Sequence, residues 1–363
     1  MRQPRDIAIA GGGVIGLACA LELRRRGFEV TIFDAGEAAK EASWAAGGML
    51  AAEDPENPAG LLSFSRYSRK VYREFFQQIH ELSGNWVLLH TRETVQVVDP
   101  GHRSIVGTRI SLERARRLIP GLSGADHEFL LLKEDSLDPR DLCTALLSAA
   151  VATGVALREH ERVLSVELTE HGVLLATPHG TFRADAFVNC CGAWAASLSP
   201  SIAVVPRKGQ MLAIAQPYDT PLIRVLRSPD VYLIPRGGDR IVVGATVEDA
   251  GYSKQVEARA LARLRELAAA LWAPAGNAPQ MDSWAGLRPA TPDGLPVIGR
   301  YDNKSLHFVA TGHFRNGILL APGTARVIAD LLCGVAPAVD LAPFAPHRPS
   351  MNQECDKHFT AAL

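Results

Sequence analysis

Residues 6–34, DIAIAGGGVIGLACALELRRRGFEVTIFD, decide the fold. Asp6–Ala10 is a short apolar run that reads as a buried strand. Gly11-x-Gly13-x-x-Gly16 follows where a strand must turn into a helix. The first glycine permits the tight turn, the second lets backbone approach a pyrophosphate, and the third allows close helix packing. Residues 17–26 read as a helix that stops at Gly27, a C-terminal cap, and 28–34 as a second strand. This strand–helix–strand unit is one half of a dinucleotide-binding fold, with the helix N-terminus facing phosphate oxygens. Asp34 lies 18 residues beyond Gly16, placed to accept hydrogen bonds from a ribose diol and to disfavour a 2′-phosphate. NAD and FAD both remain. Gly11, Gly13, Val14, Ile15, Gly16, Asp34 and Ala35 are the residues expected to hold the dinucleotide.

An NAD fold would continue with further parallel strand–helix units. Here the chain enters a small-residue loop, 41–52, containing Ser43-Trp44-Ala45-Ala46-Gly47-Gly48-Met49-Leu50. Small residues let backbone lie against a flat ligand, and Trp44, Met49 and Leu50 are too apolar for a linker. Leu61, Phe64, Tyr67, Val71, Tyr72, Phe75, Phe76 and Ile79 then recur at helical spacing. After Gly84 come strand-like pieces at 86–90 and 94–98, and a helix at 141–153 entered through Asp138-Pro139. Strands at 155–157, 163–168 and 173–176 look like returns to the first domain, followed by a buried strand at 187–190. A hairpin spans 231–245, a helix 256–271, a last strand 306–311 and a last helix 316–332. Nucleotide-binding elements thus open, interrupt and close the chain, which implies two interleaved domains.

At 363 residues, roughly two domains of ~150 are expected. With 47% apolar and 21% charged residues, wholesale disorder is excluded. Lys and Arg (38) against Asp and Glu (39) leave a net charge of −1, which argues against nucleic-acid and acidic-membrane partners. A small metabolite is the better ligand. Cysteines 19, 143, 190, 191, 333 and 355 form no C-x-x-C and no zinc spacing, so no metal is expected and a reducing, cytoplasmic compartment is. Arg2 and Arg5 precede an apolar stretch that glycines interrupt and Arg24-Arg25-Arg26 follow, unlike a cleavable signal. The uncharged run 186–206 contains Asn189, Gly192 and Pro200 and reads as strand plus loop, not as a membrane span. The proline-containing tail, 337–363, reads as a loose extension.

Four segments resemble the FAD-dependent D-amino-acid oxidase superfamily, most closely the glycine oxidases of thiamine biosynthesis. They are IAGGGVIGLACALELRRRG with FDAG, SWAAGGMLA, SWAGLRPATPDGLPVIGR (283–300) and TGHFRNGILLAP (311–322). The similarity in order and spacing runs from residue 6 to about 340. It implies an α/β fold, a Rossmann-type FAD-binding domain (1–84, 141–204 and 283–340) interleaved with an α+β substrate domain on an antiparallel sheet (85–140 and 205–282), with 341–363 as an extension. No cysteine lies near 284–300, where some relatives attach flavin, so the FAD is expected to be non-covalent.

Arg288 is a lone arginine in an apolar stretch, and its planar fork fits a carboxylate with two parallel hydrogen bonds; the alternative is a structural ion pair with a protein acid. The resemblance makes it the anchor for an amino-acid carboxylate, shared with the Tyr232 hydroxyl, and lets Arg315 reach towards the substrate. The resemblance also puts the loop of Met49 and Ala51 beside the flavin at the pocket, where the two are expected to wall the space beyond Cα. Ala42, Ser43, Gly47, Gly48 and Met49, then Val163 and Gly192, and finally His313, Phe314, Arg315, Asn316, Gly317, Ile318 and Leu319 line the cofactor. For His313, packing or hydrogen bonding outweighs proton transfer. Asp230 departs from the family pattern, and either meets a substrate ammonium or faces solvent.

The implied reaction oxidises glycine, sarcosine or a small D-amino acid to an imino acid, which water takes to a keto acid and ammonia. Dioxygen becomes hydrogen peroxide, and no side-chain base is assigned. Rivals are a dehydrogenase passing electrons to a carrier, a flavin-binding interaction subunit without turnover, and a plain NAD dehydrogenase. Assembly into a homo-oligomer stays open.

Overall fold

The computed structural model describes residues 4–103, 106–123, 127–302 and 306–352; the end of the tail, with Cys355, and the N-terminal Arg2 lie outside the described residues. A six-stranded sheet runs in the order Val297–Arg300, His307–Thr311, Ala186–Asn189, Asp6–Ala10, Glu29–Phe33, Ala156–Arg158. Its pairs are parallel except at the Val297–Arg300 edge. The central strands are buried along nearly their whole length, as a parallel sheet covered on both faces requires. Its strands come from the start, the middle and the end of the chain.

The first helix, Val14–Arg25, starts three residues earlier than the apolar pattern suggests. The last glycine of the motif belongs to its first turn, so the helix N-terminus lies directly at the turn. It packs against the last helix, Gly317–Leu332, which in turn packs on the amphipathic helix Leu62–Ser83. Pro322 inside the last helix cannot donate to the Ile318 carbonyl. The Tyr72 hydroxyl supplies that bond, and Ser68 Oγ donates to the Leu319 carbonyl (2.7 Å) while accepting from Gly323 N–H (3.0 Å).

The second large sheet has eight strands, ordered Gln280–Ala290, Val205–Ala215, Arg240–Gly244, Tyr232–Arg236, Val225–Arg227, Thr94–Val98, Glu128–Leu132, Thr108–Ile110. Helix Ala258–Leu271 covers one face through Leu264 and Ala268, packed with Leu212 and Ile214. The opposite face carries Met211, Ile234, Val242 and Trp284, packed with Ala45 and flanked by Tyr232 and Met49.

Several expectations are corrected. Segment 41–52 is not a plain loop: Ala42–Ala45 is a helical turn, and Met49–Leu50 pairs with Asp135–Leu137. The pieces read as strands at 163–168 and 173–176 return to the first domain not within its sheet but as part of a separate antiparallel meander, Ser165–Thr169, Gly172–Thr177 and Gly180–Ala184. This meander packs Val173 and Leu175 against Ala8, Phe33 and Phe187. Val205–Ala215 and Gln280–Ala290 escape a sequence reading because arginine, lysine and glycine interrupt their apolar pattern. The boundary drawn at 283 falls inside Gln280–Ala290, which pairs with the eight-stranded sheet. The tail is not loose as far as residue 352: Phe344 is buried against Phe64 (centroids 5.1 Å apart), and Arg348 pairs with Asp293 at 2.6 Å. Among the described residues, no helix is long and apolar enough to cross a membrane.

Candidate active site

A cavity of about 520 Å³ opens where the carboxyl ends of the parallel strands meet the eight-stranded sheet. Gly11, Gly13, Val14, Ile15, Asp34 and Ala35 form one wall, Ala42 and Ser43 a second, and Val163 and Gly192 a third. His313, Arg315, Gly317 and Ile318 close it beside Leu287 and Pro289. Gly16, Gly47, Gly48, Met49, Phe314, Asn316 and Leu319, also expected to touch the cofactor, are not in this wall. Gly16 and Leu319 are buried under it as packing residues. Asn316 is turned to Asn57, with which it exchanges amide hydrogen bonds (3.0 and 3.4 Å).

The glycine turn has no space for side chains. A Cβ at Gly11 would overlap the Cys190 carbonyl, and one at Gly16 would overlap the Gly11 carbonyl. Asp34 braces the turn by accepting from Gly12 N–H (2.7 Å) and Gly36 N–H (2.9 Å). Ser43 Oγ accepts from Val14 N–H at 2.9 Å. The intrahelical ladder begins with Leu17 N–H on the Gly13 carbonyl (2.9 Å), and no acid stands in the first turn. A helix N-terminus of this kind favours an anion, and the start of Gly317–Leu332 opens on the same cavity. The cradle, two helix N-termini and an acid at the ribose position fit a dinucleotide.

Across the eight-stranded sheet, register aligns Tyr232 with Gly244, Gly244 with Met211, and Met211 with Trp284. Tyr232 packs its ring over Gly244, where a Cβ would come within 2.8 Å of it, and its hydroxyl lies beside Gly47. Arg288 lies four residues beyond Trp284 on the same face, and its guanidinium lies over Gly209, the partner of Gly286. The side chain therefore leans back towards the Tyr232 row. Arg288 Nη1 donates to the Thr246 carbonyl (2.9 Å), and among the described residues it has no carboxylate partner, so the structural ion pair is not made.

Arg315 does meet protein acids. Its guanidinium lies 3.3 Å from Asp54 and 3.4 Å from Glu56. Asp54 also faces Arg227 (3.6 Å), which is buried and 3.2 Å from Glu134. Burial opposes ionisation of Asp54, but Arg227 and Arg315 outweigh it and hold the carboxyl below its ordinary value. Burial pushes Glu134 up against the opposing pull of Arg227. Met49 Sδ lies 3.9 Å from Arg227 Nη1, and Ala51 is buried. Sequence reading missed Asp54, Arg227 and Glu134, because no local pattern links positions that only the fold brings together.

His313 Nε2 meets Thr324 Oγ1 at 3.0 Å, and burial drops its pKa to about 3, so the ring is neutral. Cys190 is buried and Cys191 half-buried, and burial pushes the Cys191 thiol up to about 12. Asp230 is exposed.

Residues 6–331 match the family model described as FAD dependent oxidoreductase. The glycine oxidase of Geobacillus kaustophilus is 33% identical over 95% of this chain and 97% of that protein. A bifunctional ThiO/ThiG protein of Synechocystis is 34% identical over 96% of this chain and 54% of its own length. The crystal structure of glycine oxidase from Geobacillus kaustophilus superposes with a TM-score of 0.89 at 32% identity, covering 95% of this chain and 99% of that one. Iminodiacetate oxidase from Chelativorans shares the fold at a TM-score of 0.83 and 22% identity. With a turn that would cradle a dinucleotide and a likeness that runs nearly end to end, the chain belongs to the FAD dependent oxidoreductase family.

Proposed function

We propose that this protein oxidises the amine of a small amino acid, glycine foremost, with FAD as its non-covalent cofactor and dioxygen as the terminal acceptor. The carrying observation is the guanidinium of Arg288, which among the described residues has no protein carboxylate. Arg288 lies between Leu287 and Pro289, two residues that line the cavity, although neither Arg288 nor Tyr232 is itself in the lining. A substrate carboxylate completes that charge, and the Tyr232 hydroxyl, beside Gly47, adds a second contact. Arg315 lies at the cavity with its charge met by Asp54 and Glu56, so it shapes the site and leaves anchoring to Arg288.

FAD would be held by the Gly11–Gly16 turn, Asp34, Ser43, Val163, Gly192 and the start of the last helix. When bound, FAD supplies the two-electron oxidant that takes the amine to the imine. The chain's part is positioning: Arg288 and Tyr232 fix the carboxylate, which holds Cα in one place. Neutral His313 donates no charge to the reaction, and no side-chain base is assigned. Water takes the released imino acid to keto acid and ammonia. Segments 1–84, 141–204 and 283–340 form the FAD-binding part and 85–140 with 205–282 the substrate part, with Gln280–Ala290 as their shared wall. The place in thiamine biosynthesis is part of the same proposal.

The test is an amino-acid panel on the yellow protein, with flavin absorbance followed without air and peroxide measured in air. Glycine is expected to bleach the flavin and to yield peroxide. Bleaching without peroxide would replace dioxygen by a carrier, and a flavin that no amino acid bleaches would leave only a binding role.

A further inference from the structure

Resting on the reading of Arg288 as carboxylate anchor, we infer that Gly209 and the buried Lys208–Glu248 pair are its positioning residues, acting from the two faces of one strand. Strand Val205–Ala215 alternates its side chains across the sheet. Gly209 and Met211 lie on the face of Arg288 and Trp284, where Met211 packs with Trp284. Lys208, Gln210 and Leu212 face helix Ala258–Leu271.

On the Trp284 face, the missing side chain of Gly209 is the seat of the guanidinium. A Cβ there would come within 2.5 Å of both Arg288 Cζ and Nη2. Gly209 lies in a strand and outside the left-handed region, so an alanine fits the backbone and conflicts with the guanidinium. The Arg288 side chain would have to leave its seat.

On the other side, Lys208 is 1% exposed and pairs with Glu248 at 3.1 Å and with Glu257 at 2.7 Å. Glu248 accepts from Gln210 Nε2 (2.8 Å) and from the Thr246 hydroxyl. The Thr246 hydroxyl accepts in turn from Gln210 N–H at 2.8 Å, and the Thr246 carbonyl receives Arg288 Nη1 at 2.9 Å. A buried ammonium is retained only where partners satisfy it. Here those partners fix the one acceptor that Arg288 uses among the described residues. The lysine thus sets the anchor's angle without meeting the substrate.

The test uses the FAD-loaded protein and two readouts: KM and kcat for glycine, and binding of glycolate, a carboxylate without an amine, followed by flavin absorbance. Gly209→Ala is expected to raise KM and weaken glycolate by about tenfold or more and to lower kcat as well, with flavin retained, as a displaced clamp predicts. Glu248→Gln and Lys208→Met should raise KM several-fold, and Lys208→Arg should restore part of the loss. If Lys208→Met fails to fold, Gly209→Ala and Glu248→Gln decide. Parent-like glycolate binding in Gly209→Ala and Glu248→Gln, alongside its loss in Arg288→Ala, overturns this inference and leaves the anchor standing. Parent-like binding in Arg288→Ala overturns the anchor itself.

Discussion

The guanidinium of Arg315 lies 3.3 Å from the carboxylate of Asp54, and the same carboxylate faces Arg227 at 3.6 Å. Asp54 therefore joins the end of the last parallel strand to the eight-stranded sheet. Asp54→Asn leaves Arg227 with Glu134 alone and is expected to lower unfolding free energy by about 3 kcal/mol, as loss of one member of a buried pair does. Because the carboxyl is held below its ordinary value, its contribution is present at neutral pH and is lost as pH falls through the lowered pKa. Urea unfolding of both proteins at pH 7 and at a pH below the ordinary carboxylate value of 3.8 checks this; equal stability at pH 7 would remove Asp54 as the link.

Asp34→Ala is expected to weaken FAD retention while the fold persists. The carboxylate accepts from the Gly12 and Gly36 N–H groups and lines the cavity, where the ribose is expected to meet it. One or two lost hydrogen bonds to the ribose, at about 1 kcal/mol each, correspond to a loss of affinity of several-fold to tens-fold. Flavin released on ultrafiltration measures it, and unchanged retention refutes the ribose assignment.

Arg288→Ala should abolish efficient turnover in a protein that stays yellow, and Arg288→Lys should follow it closely. Lysine keeps the charge without the two-pronged contact. A loss of about 3–5 kcal/mol in kcat/KM is expected for removing a desolvated charge partner. Near-normal kinetics in the alanine variant would shift the anchor elsewhere.

Met49→Ala should widen the range of substrates. Met49 stands between the Tyr232 row and Arg227, on a short strand paired with Ser136. If it walls the space beyond Cα, each methylene of misfit costs about 1–3 kcal/mol in the parent. The ratio of kcat/KM for D-alanine over glycine should therefore rise in the variant. An unchanged ratio would move the selectivity wall elsewhere.

Acid stability should report the buried histidines. Burial drops His313 to about 3 and His307 to about 4, so both are neutral in the folded chain and charge on unfolding below pH 6.5. Their lowered values mean full stability above the unfolded pKa and progressive loss below it. His313→Gln should make the acid limb between pH 6 and pH 4 shallower by about 1.4 kcal/mol per pH unit. An identical slope in the variant would mean that the ring is already charged in the native state.

The sequence by itself determined the first strand–helix–strand unit, the long amphipathic helix and the final strand and helix, because their signals are local. A glycine turn, a 3.6-residue apolar repeat and a cap each act within a few residues of one another. It also marked Arg288 and Asp34, where residue type and immediate setting carry the chemistry. Only the tertiary structure decided how charges are matched. Val205–Ala215 holds Arg207 and Lys208 in a buried sheet because Asp249, Glu248 and Glu257 come to them from elsewhere in the chain. The same holds for Arg315, whose charge Asp54 and Glu56 meet, while Arg288 has no acid partner among the described residues. Ion pairing in a sheet protein follows strand register and the docking of distant segments. Neither leaves a periodic trace in the chain, so the sequence shows which residues carry charge and the fold shows which of those charges remain for a ligand.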